Sequence, residues 1–311
     1  RHQKNQFMTS RISVIICTHN PREAYLQRTL QALRAQTLDP SLWELLLIDN
    51  CSEHAVEGRF DLSWHPTGRI LVEEELGLTP ARLRGIRESR AEILCYVDDD
   101  NVLDPNYLEQ ALCIGTNHPH IGCWGGETVG EYETDPPPWF SGYEGKLAVR
   151  ALDRDQWGNA YCFDDASPCG AGLCVRRSVV EQYLHECAQS TLRKSLDRTG
   201  TSTMSGGDQD LVFTAIDMGM GTGRFKALRL LHLIPAARLE PEYLARLVEG
   251  MAESGVYLNS LRDQHQAKLT LNARIRFWQQ WLMAPKERRR ILIAQRRGRR
   301  HALERLSKMG V

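Results

Sequence analysis

Short apolar runs that end in polar clusters recur along the first half of the chain. Ile12–Cys17 is β-branched and apolar and stops at Thr18-His19-Asn20-Pro21. Leu45–Ile48 stops at Asp49-Asn50-Cys51-Ser52, and Ile93–Val97 stops at Asp98-Asp99-Asp100. Runs of this length bounded by turn residues read as buried strands. Arg69–Val72 is a weaker run of the same kind. Between the runs the period changes: Arg22 to Gln36 carries Leu26, Leu30 and Leu33 at helical spacing. Thr79-Pro80 and Asp104-Pro105 read as helix starts, a capping side chain followed by proline in the first turn. This alternation predicts an α/β sandwich with a mainly parallel central sheet. Ligands of such sheets bind beyond the carboxyl ends of the strands, where all three polar clusters fall.

The second half has a different pattern. Gly125 to Pro168 is long and rich in Gly, Pro and aromatics, and reads as a functional loop. Its Trp139, Phe140 and Tyr143 follow three prolines; they suit either a lid over a ligand, on which aromatic faces would stack, or a packed loop core. Ala171–Val175 reads as a strand, and Ser178 with Glu181 as a capping box opening a helix. Gly206-Gly207-Asp208 opens another helix that stops at Gly219. Arg229–Ile234 is apolar apart from His232, and beyond Pro241 the pattern is helical to the end. These signals divide the chain into a flexible arm (1–10), one α/β domain (11–243) and a helical basic extension (244–311).

Length and composition suit one large globular domain with an appendage: 311 residues, 42% hydrophobic and 25% charged. The formal net charge is zero, but from Lys286 onward Lys and Arg heavily outnumber Glu287 and Glu304. In the same region Ile275, Trp278 and Leu282 share a helical face, with Phe277 and Trp281 beside them. Aromatics next to clustered Arg suit a helix lying on an anionic membrane, and equally a helix packed on the domain with a solvated basic end. Overall neutrality and the lack of a recognised module speak against nucleic acid. The nine cysteines form no C-x-x-C pair, no apolar run is long enough to span a membrane, and Arg1 to Ser10 lacks a signal-peptide core. The expected location is cytoplasmic, with an optional peripheral contact at the inner face of the membrane.

Asp98, Asp99 and Asp100 are the strongest chemical signal. Three adjacent carboxylates after a buried strand repel one another unless a cation is present. A solvated acidic turn is the bland alternative; a hard divalent ion held by one or two carboxylates and diphosphate oxygens is the functional one.

With these residues in view, the chain resembles the family 2 inverting glycosyltransferases, which have the GT-A fold. The matching pieces are Val14 to Thr18, Leu47 to Asn50, Gly77 to Arg82, Tyr96 to Asp100, Gly170 to Gly172 with Arg176-Arg177, Gly207-Asp208, and His232 to Pro235. The resemblance implies a nucleotide-sugar donor and a divalent metal, Mn2+ or Mg2+, as cofactor. It implies that Thr18 and Asp49 hold the nucleoside, with Asp49 against the base. It sets Arg82 near the nucleotide, Asp98 on the ribose side, Asp99 in the metal's surroundings and Asp100 on the metal. His232 matches a position that in some members binds metal or diphosphate; a satisfied core histidine is its other reading. Gly170–Gly172 would line the acceptor side, and Asp208 matches the catalytic base, against the alternative of a plain helix cap. The family usually has Glu-Asp where this chain has Gly207-Asp208, so Asp210 is a further candidate for the base.

The expected activity is therefore metal-dependent, inverting transfer of a sugar to a carbohydrate or lipid-linked acceptor hydroxyl, in polysaccharide or glycoconjugate synthesis. Two rivals share the fold. A sugar-1-phosphate nucleotidyltransferase would want a Gly-rich basic signature after the first strand, and Thr18 to Arg22 contains no glycine. An inactive sugar-binding scaffold would have no need of Asp98–Asp100 and Asp208.

Overall fold

The computed structural model describes residues 10–163, 165–200, 202–263 and 271–309, with side chains from 275 to 308 in the last stretch. Of the arm at 1–10, all but Ser10 lies outside the described residues. The first half alternates as its pattern predicts: β1 (Ile12–Thr18), α1 (Glu23–Arg34), β2 (Trp43–Asn50), β3 (Arg69–Glu73), α2 (Leu78–Glu88), β4 (Ile93–Asp98), β5 (Asn101–Leu103) and α3 (Tyr107–Asn117). Then come β6 (Ile121–Tyr132), β7 (Gln156–Gly158), β8 (Leu173–Arg176), α4 (Arg177–Gln189), α5 (Thr191–Lys194), α6 (Gly207–Asp217) and β9 (Gly221–Ile234). Three helices follow: α7 (Pro241–Ser260), α8 (Leu271–Met283) and α9 (Lys286–Met309).

The strands form one sheet in the order β3-β2-β1-β4-β8-β6-β9-β5, with β7 also on β9. The expected parallel alignment holds across β3, β2, β1 and β4 and again between β6 and β9. β8, β5 and β7 run against their neighbours, so the sheet as a whole is mixed. The continuous apolar runs are explained by helices on both faces. Val14, Ile16, Leu45, Leu47, Cys95 and Val97 pack with Leu26 and Leu30 of α1 and Leu108 of α3. The alternate residues Ile15, Leu46, Ile48, Leu94 and Tyr96 pack with Ile86 of α2, Val179 of α4 and Leu211 of α6.

Three local readings change. The segment expected to be loop from Gly125 contains the second half of β6, because pairing of Glu127 through Tyr132 with β9 overrides the low strand propensity of its glycines. Thr79 is not a cap: Gly77 precedes α2, and the Thr79 hydroxyl donates to Asp197 at 3.1 Å. Ser178 does not cap α4, which begins one residue earlier without a side-chain cap. Arg177 instead lashes that helix to the Ala91 carbonyl at 2.6 Å.

The basic C-terminal helix packs on the domain. Leu244, Leu247 and Val248 of α7 and Ile291 of α9 share an apolar cluster with Phe140, Leu147 and Ile234. Arg290 pairs with Glu242, Arg297 with Glu249, and Arg305 with Glu253 at 2.9 Å, so the two helices run in the same direction. Gly298 allows the close approach: a Cβ there would lie 2.1 Å from the Glu249 carbonyl oxygen. α7 also enters the second apolar layer through Val256, Tyr257 and Leu258, so no gap in packing separates residues after 243 from those before. Among the described residues no helix is long and apolar enough to cross a membrane.

Candidate active site

The parallel register sets the ends of three strands side by side: Thr18 lies opposite Asp49, and Cys17 opposite Asp98. A cavity of about 580 Å3 opens over these ends. Thr18, Asn50, Arg82, Asp98, Asp99, Asp100, Gly170, Asp208 and His232 all line it. The chain thus gathers, from seven separate segments, nearly every residue that the sequence marked.

The aspartate turn is fixed on both sides. Thr18 Oγ1 donates a short hydrogen bond to Asp99. After Asp100 the chain reverses into β5, which pairs with the end of β9 so that Asn101 faces His232. This pairing brings the His232 imidazole to the Asp100 carboxylate, Nε2 to Oδ2 at 3.4 Å. His232 Nδ1 lies 2.8 Å from the Leu147 carbonyl, which only accepts, so Nδ1 carries the proton and Nε2 presents its lone pair. Arg238, on the single turn Ala236–Leu239 after β9, donates to that Nε2 at 3.0 Å and to Asp100 Oδ2 at 2.9 Å.

The three carboxylates are electrostatically unequal. Burial pushes Asp99 up to about 7, with neighbouring Asp100 adding to the shift and the Thr18 bond opposing it. Asp98 is also raised, by burial first and then by Asp100, against Arg82. Burial works the same way on Asp100, but the positive charge around it, Arg238 at 2.9 Å and Arg198 beyond, holds the group below the ordinary carboxylate range. The cluster is short of positive charge at Asp98 and Asp99 and well supplied at Asp100.

A divalent ion fits this donor set. An ionised carboxylate and an imidazole lone pair 3.4 Å apart already share a cation, the Arg238 guanidinium. Among the described residues no three His, Cys, Asp or Glu side chains converge as a ready-made shell. Phosphate oxygens and water would complete it, as is usual for Mg2+.

Asp208 stands on the far side of the sequence but in the same cavity. It lies in the first turn of α6, and its side chain does not cap the helix. Oδ1 accepts from Gln209 N and Oδ2 from Gly170 N, both at 2.8 Å. Asp210 points away. It is fully buried, held by Arg193 at 2.6 Å and Arg262 at 2.9 Å, and does not line the cavity.

Asp49 does not line the cavity either. Its oxygens accept from Ser52 N at 3.2 Å and Val56 N at 3.0 Å, so it closes the turn after β2. Asn50 is the cavity-lining neighbour, and its amide ties the 73–77 loop in place through Glu73 O, Glu75 O and Gly77 N. The proposed aromatic lid is absent from the lining: Phe140 is buried, and Trp139 and Tyr143 pack on the same apolar cluster as α7. The aromatic that does reach the cavity from this region is Phe163, exposed, with the Arg150 guanidinium 4.5 Å from its ring.

Sequence reasoning missed Asp197, which lines the cavity, accepts from Arg82 at 2.7 Å and from Gly207 N at 3.2 Å, and so fastens α2 to α6. It also missed a set of cations, Lys146, Arg198 and Arg238, that line the cavity together with Arg82. Burial works against the Arg82 charge, but the carboxylates of Asp197, Asp208 and Asp98 outweigh it and raise its pKa. The cavity therefore combines fixed positive charge with a carboxylate cluster, a combination suited to an anionic ligand that brings or shares a cation.

Comparison with known proteins identifies the family. The family model described as Glycosyl transferase family 2 matches residues 13–193. The chain is 27% identical over 114 residues to the putative glycosyltransferase EpsH of Bacillus subtilis, covering 33% of this chain and 30% of that protein. It is 24% identical over 137 residues to a glucosyl-dolichyl phosphate glucuronosyltransferase of Haloferax volcanii, covering 42% of each. The chain thus spans less than half the length of either relative. A crystal structure of S. aureus TarS 1–349 aligns over 94% of this chain and 91% of that one, at 13% identity and a TM-score of 0.47.

Proposed function

Since the chain belongs to glycosyl transferase family 2, the GT-A-fold glycosyltransferases, we propose that it moves a sugar from a nucleoside-diphosphate-sugar donor to an acceptor hydroxyl with inversion at the anomeric carbon. The observation that carries this reading is one cavity that joins the Asp100–His232 pair to a separate carboxylate, Asp208, hydrogen-bonded across to Gly170.

The nucleoside lies over the ends of β1 and β2. Thr18 and Asn50 face it, and Asp49 acts from behind through the turn it closes. Asp98 and Asp99 face the ribose and diphosphate. Arg82, Arg198 and Lys146 supply fixed positive charge to the same region. A divalent ion on Asp100 and His232, Mn2+ or Mg2+, would supply Lewis-acid stabilisation of the leaving diphosphate.

Asp208 is the base. It takes the proton of the acceptor hydroxyl as that oxygen attacks the anomeric carbon. The bond from that carbon to the diphosphate oxygen breaks, and its electron pair leaves on phosphate. One displacement of this kind inverts the centre. The Gly170 N–H bond orients the carboxylate, and Phe163 offers a face for a sugar ring of the acceptor.

The acceptor is a carbohydrate or a lipid-linked hydroxyl, in polysaccharide or glycoconjugate synthesis. Support for a membrane-borne acceptor comes from α8, whose Ile275, Trp278 and Leu282 are exposed on one face, with Arg296 against Phe277 and Trp278. This helix, rather than α9, is the element suited to an anionic lipid surface.

The test is sugar release from a panel of UDP-, GDP- and dTDP-sugars, with Mn2+ or Mg2+ and with chelator, in wild type and Asp100→Ala. Release from one donor class that needs metal and Asp100 is the expected result. Full turnover in chelator, or in Asp100→Ala, sinks the metal assignment. Conversion of sugar 1-phosphate and nucleoside triphosphate instead would identify a nucleotidyltransferase.

A further inference from the structure

We propose that Arg238 is a mobile countercharge of the donor site. Its guanidinium competes with a divalent cation for Asp100 and His232, and on donor binding it moves to the leaving diphosphate. The inference rests on reading the cavity as the donor site.

The geometry is that of a fork spanning two acceptors. Nη2 is 2.9 Å from Asp100 Oδ2 and Nη1 is 3.0 Å from His232 Nε2, while those two atoms are 3.4 Å from each other. These are the same two lone-pair-bearing atoms that a metal would need. A guanidinium and a divalent ion cannot share His232 Nε2, which has a single lone pair, and at Asp100 the two cations repel. Arg does not lose its proton at any accessible pH, so it cannot yield by becoming neutral, as a lysine could. It yields only by moving.

The surroundings allow that movement. The Arg238 side chain is 22% exposed and lines the cavity, so the open direction is the one the donor occupies. Its backbone is fixed separately: Arg238 N donates to Pro235 O at 2.9 Å within the short turn after β9. The head group can therefore turn without shifting the strand that carries His232. A planar fork with several N–H donors matches phosphate oxygens as well as it matches a carboxylate. The same contact neutralises a carboxylate whose neighbours are also buried acids.

The experiment measures Mn2+ alone, and then UDP, GDP and dTDP at saturating Mn2+, by calorimetry on the full chain. Wild type, Arg238→Gln and Arg238→Lys are compared, with melting curves to confirm folding. Charge-assisted bonds of this type shift an equilibrium by about one to two decades. Arg238→Gln is expected to bind Mn2+ alone about tenfold or more tightly and the nucleoside diphosphate about tenfold or more weakly. Arg238→Lys should fall between on both. A residue that merely supports the fold would weaken both ligands together, and that outcome overturns the proposal, as does unchanged Mn2+ affinity in a folded Arg238→Gln. If wild type binds Mn2+ but none of the three diphosphates, the donor-site reading fails and the diphosphate half of the proposal with it. Tighter Mn2+ binding in Arg238→Gln would still establish the competition.

Discussion

The carboxylate of Asp197 fills the space that a side chain on residue 207 would need: a Cβ at Gly207 would lie 2.1 Å from Asp197 Oδ2. The glycine that stands where the family usually has a glutamate is therefore matched to an acid arriving from a different segment. Gly207→Ala should destabilise the protein by about 1–3 kcal/mol, the usual cost of overpacking a tight site. Combined with Asp197→Ala, the loss should be less than the sum of the two single losses, because they share one space. Urea denaturation of the four proteins checks this; strictly additive losses would mean that the two residues do not compete.

Asp208 and Asp210 should separate cleanly. Asp208→Asn keeps size and shape but cannot take a proton, so turnover should fall by about 10²–10⁴-fold with donor binding preserved. Asp210→Asn leaves Arg193 and Arg262 without their buried partner, and losing one side of such a pair costs about 3–5 kcal/mol. Its signature is a lowered melting temperature with near-normal turnover per folded molecule. An inactive but fully stable Asp210→Asn would transfer the base role to Asp210.

His65 gives the fold an acid-sensitive point far from the chemistry. Burial lowers its pKa to about 4, against Glu44, and its ring packs 4.1 Å from that of Trp43. Neutral His65 is thus favoured in the fold, while the unfolded chain takes up a proton near pH 6.5. Stability from this group is complete above about pH 6.5 and is lost as pH falls toward 4. Asp99, raised to about 7 by burial, has the opposite sign: its contribution is present at low pH and is lost as pH rises through 7. The test is therefore a difference. Between pH 6.5 and 4 the melting temperature of wild type should fall more steeply than that of His65→Phe, and parallel curves would remove His65 as the cause.

The tail should divide by helix. α9 contributes buried Ile291, Ala294, Ala302 and Leu306, so deleting 286–311 should lower the melting temperature by several degrees and reduce turnover. Trp278→Ser with Leu282→Ser should leave both almost unchanged and weaken salt-sensitive binding to anionic vesicles. Vesicle binding that survives the α8 changes would point to another surface.

The strand ends were readable because the sheet is covered on both sides, which makes β1, β2 and β4 continuous apolar runs with abrupt polar stops. Asp98–Asp100 stand directly at such a boundary, and Asp208 at a helix start marked by Gly206-Gly207. Asp49 stands at a strand boundary too, but its side chain turns back into the loop, and a position at a strand end does not specify direction. Asp197 and Arg238 were invisible for a different reason: each sits in a short turn without periodicity, and its partners, Arg82 and Asp100, are more than a hundred residues away. The proline-rich aromatics were ambiguous because a lid and a packed loop have the same composition; the presence of α7 decides it.

The shared α7 helix ties the tail to the candidate cavity. Its Leu247 and Met251 form part of the cavity wall, while Glu249 between them grips Arg297 and lies against Gly298. A chimera joined near residue 240 would import a foreign wall along with a foreign tail. Substitutions at Gly298, remote from any reacting atom, would tilt that wall. Tail and cavity wall would then be exchangeable only as one unit.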